Sequence, residues 1–288
     1  MDILEQLKKM DLKNATPNDV RKVLYSVNLP TIRSEISKGA YILRARRGDR
    51  YTKRSQMTYC PVELCTSLQR ATLAGRTMFY GVLSDSQLHL ENARIISSAE
   101  CSKLTRDGIK SIGREKFTVS YWEVIKPLKV VSFIADSTFP EEKNNKLLTL
   151  LREVFNDLSF SSIERDLIRF VSSEFSKVVT DNREYLISAT ISSDIIDETN
   201  IDGIIFPSVQ LEGQAGLNIA LSPKAVNTKL RFKRTIGQTL YKNKEKTIVL
   251  IEKATGKNGE NVRVKKISNQ AILETLRIKN INDLPLIE

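Results

Sequence analysis

A chain of 288 residues with 41 % hydrophobic and 27 % charged side chains has an ordinary globular composition, enough for one large domain or two small ones. No apolar run approaches the ~18–20 residues of a membrane span, and Met1-Asp2-Ile3-Leu4-Glu5 lacks the basic-then-apolar order of a secretory signal. Three cysteines (Cys60, Cys65, Cys101) and one histidine (His89) argue against a disulfide scaffold, a four-ligand zinc site and serine–histidine hydrolysis, and fit reduced thiols in a cytoplasmic protein.

Residues 1–37 read as helical, an N-terminal extension. Ile3, Leu4, Leu7 and Met10 share one face, and Thr16-Pro17-Asn18-Asp19 looks like a helix start. Tyr41-Ile42-Leu43 opens a strand that runs into a basic segment, with six Lys/Arg between Arg44 and Arg54 against one acid, Asp49. Thr77–Leu83, Phe117–Val124 and Leu128–Ile134 are strand candidates. Leu147, Leu148, Leu151, Val154, Phe155 and Leu158 then recur at helical spacing, Ser161–Glu164 offers a capping box, and a further helix is expected over Glu184–Ser192. Ile204–Phe206 and Leu217–Leu221 are the next strands.

From Lys229 to Lys266 the chain carries twelve Lys/Arg and three Asp/Glu, most of the net charge of +11. Such a segment attracts polyanions, so nucleic acid or an acidic partner is a candidate ligand, although only Phe232 and Tyr241 could stack on bases. A hairpin is expected over 247–267 with its turn at Lys257–Asn261, then a short helix over Ala271–Arg277. The partition is 1–37, a body at 38–228, and a basic extension at 229–288 packed on the core.

No phosphate loop and no GxGxxG follows a strand, so a nucleotide would be held by side chains. Arg44, Arg46 and Arg70 could grip pyrophosphate bidentately. Tyr80, at an apolar strand before Gly81, could offer its ring to a flat base, and Ser208, after Phe206-Pro207, a hydroxyl to a ligand.

The segment Gln69–Tyr80, with its arginine and tyrosine ten positions apart across Ala74-Gly75, is answered downstream by Asp202-Gly203-Ile204-Ile205-Phe206-Pro207-Ser208 and Gly216-Leu217-Asn218. With Ile42-Leu43-Arg44-Ala45-Arg46 ahead of them, these segments resemble the RES domain family over residues 38–228. The resemblance implies an α+β fold, an ADP-ribosyltransferase-like split β core with surrounding helices, here with helical and β-rich extensions. It implies a toxin that consumes NAD by hydrolysis or phosphorolysis, or a protein ADP-ribosyltransferase using the same site, with no metal. By the same resemblance Arg44 or Arg46 joins Arg70 on the phosphates, Tyr80 stacks near the nicotinamide, Ser208 bonds the dinucleotide, and a glutamate stabilises the ribosyl cation. Glu100 is favoured for that acid over Glu91, because Ile96–Cys101 is similar to the family's short helix that ends with the acid, with Ser84–Arg94 then a loop insertion. Family toxins are often paired with an antitoxin. Homo-oligomerisation, and nucleic-acid binding by a non-catalytic protein, stay open.

Overall fold

The computed structural model describes residues 2–25, 29–49, 51–84, 89–106, 111–134, 146–157, 159–198, 200–208, 216–255, 261–262, 264 and 267–287. In chain order its elements are α1 (Ile3–Lys8), α2 (Pro17–Leu24), β1 (Ile32–Ile36), β2 (Tyr41–Arg47), α3 (Arg54–Met57), β3 (Phe79–Ser84), α4 (Leu90–Cys101) and α5 (Lys103–Arg106). Then come β4 (Gly113–Val124), β5 (Leu128–Ser132), α6 (Lys146–Asp157), α7 (Ser162–Ser176), α8 (Leu186–Glu198), β6 (Gly203–Pro207) and β7 (Leu217–Leu221). The last are α9 (Pro223–Lys229), β8 (Leu230–Lys242), β9 (Thr247–Thr255), β10 (Asn261–Val262) and α10 (Asn269–Leu276). The fold is mixed α and β, built on one large, mostly antiparallel sheet.

Several helices begin where the sequence supplies caps. The Thr16 hydroxyl accepts from the Asp19 backbone N–H, and Asp19 answers to the Thr16 N–H, with Pro17 in the first turn. Ser161 and Glu164 do the same for α7. Each reciprocal pair satisfies two backbone donors that a helix start leaves open.

Three expectations are corrected. Ile32–Ile36 is a strand, not part of a helical arm, and pairs antiparallel with β5. Its period is two: Ile32 and Ile36 are buried, whereas Arg33 and Glu35 face outward. Residues 90–94 are not loop but the first turns of α4. The helix expected over Glu184–Ser192 begins later, at Leu186, because Asp181 caps a 3-10 turn over Asn182–Tyr185 first. The turn expected at Lys257–Asn261 lies, except for Asn261, outside the described residues. The strands on either side of it, β9 and β10, do pair antiparallel.

The sheet order is β1-β5-β6-β7-β3-β2-β4-β8-β9-β10, antiparallel except at β5–β6. The segment after Lys229 therefore enters the sheet itself, with β8 pairing along β4 from Leu230 to Lys242. The junction that matters is β2–β3. These two strands pair only at Tyr41–Ser84, Ile42–Leu83 and Leu43–Val82. Beyond Leu43, β2 follows β4 to Arg47, while in the other direction along its chain β3 follows β7 back to Phe79. The sheet thus splits into two halves that share three residue pairs.

Both faces are covered. Phe79, Trp122 and Phe232 stack edge to face at 5.2 Å in the core that α6 and α9 also join. On the opposite face, α2, α7 and α8 cover β5–β6–β7 through Val20, Val171, Phe175 and Ile191. On that same face, α4 covers β2–β3–β4–β8 through Ala93 and Ile96. Between these two helical layers the split is open.

Candidate active site in the split of the sheet

Sheet register supplies the floor. Leu43, Val82, Asn218 and Phe206 face one another in sequence across β2, β3, β7 and β6. All four line a cleft of about 210 Å³. Arg44, Arg70, Tyr80, Ser97, Glu100 and Cys101 complete its principal walls. Gly81 marks where the halves touch. A Cβ there would stand 2.5 Å from Ile42 Cγ2 and 3.0 Å from the Leu43 carbonyl oxygen, so only glycine lets the two strands meet.

Arg44 spans the split. Its Nη1 donates to the Tyr80 carbonyl at 2.7 Å, its guanidinium lies 5.3 Å from the Phe79 ring centre, and its Nε is buried without a hydrogen-bond partner. Among the described residues no carboxylate pairs with it. Burial pulls its pKa down from the ordinary arginine value, the expected result of desolvating a charge. Arg46, two positions on, leaves the cleft: it donates to the Gln56 carbonyl and lies over the Tyr51 ring. Arg70 reaches the cleft while bonded to the Phe175 carbonyl at the end of α7, and stacks 5.2 Å from the Tyr185 ring centre.

Tyr80 presents its ring to the cleft, and its hydroxyl is engaged behind it. That oxygen accepts from the Ala71 N–H at 3.0 Å and meets Thr72 Oγ1 at 2.5 Å. Burial pushes its pKa up to about 12. The phenol is therefore a neutral aromatic wall, not a base.

Glu100, near the end of α4, is gripped on one oxygen. Ser208 Oγ and Asn218 Nδ2 (2.9 Å) both donate to Oε1. Among the described residues, Oε2 takes no hydrogen bond. Glu91 stands two and a half turns earlier, hence on the opposite side of the helix, where it pairs with Arg94 at 2.6 Å with its side chain 66 % exposed. Ser208 does not stand as a free ligand donor, because its hydroxyl is committed to Glu100.

Of the seven residues singled out from sequence, Arg44, Arg70, Tyr80, Glu100 and Ser208 come together, whereas Arg46 and Glu91 point elsewhere. The structure adds Asn218, Tyr185 and Cys101 to this neighbourhood. The signal for Asn218 was present as the one polar residue in the buried strand Leu217-Asn218-Ile219-Ala220-Leu221. Cys101 donates to the Ala45 carbonyl, and burial raises its thiol pKa.

Among the described residues, part of the basic segment is paired. Lys229 meets Asp202, Arg231 and Lys233 share Glu123, Lys253 meets Asp49, and Arg234 lies over Tyr121. Among the described residues no cluster of three or more His, Cys, Asp or Glu could hold a metal, and no helix is long and apolar enough to cross a membrane. No protein-family model matches the chain, and no curated protein matches it.

Proposed function

We propose that the chain is an NAD-consuming enzyme with an ADP-ribosyltransferase-like split core, cleaving the nicotinamide–ribose bond in this cleft. The observation that carries the reading is a half-buried guanidinium, its Nε buried without a partner and with no carboxylate on it among the described residues, facing the same cleft as a carboxylate clamped on one oxygen. A partly desolvated charge without a counter-charge is unfavourable, and an anionic ligand in the cleft would relieve it. Arg44, with Arg70 beside it, suits the phosphates of an anionic substrate. The cleft is smaller than the ~300 Å³ and more of whole-ligand pockets, a size for one end of a dinucleotide.

The chemistry follows from charge. Breaking the bond builds positive charge on the ribose, as at other glycosidic centres. Glu100, fixed on Oε1, offers Oε2 to that charge and to the ribose hydroxyls, and preorganised charge of this kind is worth several kcal/mol. Nicotinamide leaves as a neutral molecule from a cationic ring, so the leaving group needs no proton. One carboxylate is then sufficient. The Tyr80 ring is a stacking wall for the departing base, consistent with a phenol that holds its proton to about pH 12. Three free thiols fit a cytoplasmic protein, where toxin activity would act on the host dinucleotide pool and an antitoxin would restrain it.

Purified protein incubated with NAD tests the reading through nicotinamide release, measured with and without inorganic phosphate and with a protein acceptor. Release requiring phosphate identifies phosphorolysis, release without it hydrolysis, and labelled acceptor transfer to protein. No release under any of the three conditions sinks the proposal.

A further inference from the structure

Strand β7 is buried on both faces, yet its second residue is an asparagine. Asn218 is 8 % exposed, in a cross-strand row whose other members, Leu43, Val82 and Phe206, are apolar. A buried amide in such a row costs free energy unless it is bonded. Its Nδ2 faces two acceptors, Glu100 Oε1 at 2.9 Å and the Pro207 carbonyl at 3.5 Å. Only an NH2 group can serve two acceptors there, so the amide orientation is fixed by its surroundings.

The second donor to Oε1 arrives from the neighbouring strand. Ser208 follows β6, is 4 % exposed, and is held by its own N–H donating to the Gly216 carbonyl at 2.8 Å. Gly216 itself packs so closely that a Cβ would stand 2.8 Å from Ile96 Cδ1 on α4. The β6–β7 pair is thus pressed against the helix that carries Glu100, and both strands send a donor to the same oxygen.

We propose that Asn218 is a positioning residue for Glu100: with Ser208 it fixes Oε1 and leaves Oε2 as the one carboxylate oxygen directed to the substrate. This rests on the enzyme reading above. Asn218 acts through Glu100, so it governs how fast bound substrate reacts and not how tightly it binds. Two donors to one oxygen also remove the rotational freedom of a carboxylate that has to meet a developing charge in one orientation.

The test pairs two substitutions at one position. Asn218→Leu removes the donor, and kcat is expected to fall at least about 10-fold at every pH, with KM within about 3-fold. Asn218→Asp can donate only while its new carboxyl is protonated. Two adjacent carboxyls share a proton at low pH and lose it as pH rises. The other titratable or charged groups lining this cleft are Arg44, Arg70, Tyr80 and Cys101, all unchanged between the two variants. Asn218→Asp is therefore expected to approach wild-type turnover at acid pH and to converge on Asn218→Leu at alkaline pH. Wild-type kcat in Asn218→Leu, or Asn218→Asp tracking Asn218→Leu at every pH, would overturn the proposal. Should the wild type release no nicotinamide, the enzyme reading falls by itself. The positioning claim is then decided by a crystal structure of Asn218→Leu: a displaced Glu100 carboxylate is expected, and an unmoved one overturns it.

Discussion

On the proposed reading, Arg44 is the residue at which stability and function oppose each other. Its charge is partly desolvated and, among the described residues, its Nε is unpartnered and its one hydrogen bond goes to a backbone oxygen. Replacing it by methionine forfeits that bond, worth about 1 kcal/mol, but relieves a desolvation cost of several. We expect ADP-ribose to raise the Tm of the wild type, and Arg44→Met to melt no lower than wild type and to show no such rise. A lower Tm with the ligand-induced rise intact would contradict this. Tyr80 gives a pH test. Its phenol titrates near pH 10 in an unfolded chain and about 12 when folded, so the unfolded chain loses its proton first. Stability from this group is whole below pH 10 and is lost as pH rises toward 12. Tyr80→Phe should blunt that alkaline loss in a denaturation series, while turnover stays within a few-fold below pH 10 because the ring remains.

At the scale of elements, the split between β2 and β3 depends on Gly81. A valine there would drive a side chain into Ile42 and the Leu43 carbonyl. Gly81→Val should cost about 1–3 kcal/mol, read as a lowered denaturant midpoint, and should disturb the cleft with it. The same split explains what sequence could and could not reveal. Arg70, Tyr80, Glu100 and Ser208 lie in segments whose order and local pattern are visible in the chain. The choice between Arg44 and Arg46 was not, because both point to the same side of β2 and only the place where β3 departs separates them. Strand β1 was missed because five residues with Ser34 at the centre carry little β signal. Ser34 belongs there for a tertiary reason, its hydroxyl lying 3.3 Å from that of Ser132 on β5. Helix α4 was cut short because its first turn is polar, although Arg94 buries itself against Gln238 on β8, a partner far away in sequence.

Across the whole molecule, the basic segment after Lys229 is a structural part of the sheet. It gives the core Leu230, Ile236 and Leu240, and covers the outer side of β4, where Phe232 completes the stack on Trp122. A chain ended at residue 228 should fail to give a cooperative thermal transition. A sharp transition in that truncation would show the extension to be dispensable. The N-terminal arm is tied on by the fork of Arg21 to both oxygens of Asp194 and by Val20 in the α8 core. Both ends therefore hold a framework whose purpose, on this account, is to keep the split open with Glu100 beside it. The most direct measurement compares nicotinamide release from NAD by the wild type and by Glu100→Gln, with dinucleotide affinity measured on both. Release should fall at least about 100-fold while affinity stays within a few-fold. Equal release by the two proteins, or none from the wild type, would contradict it.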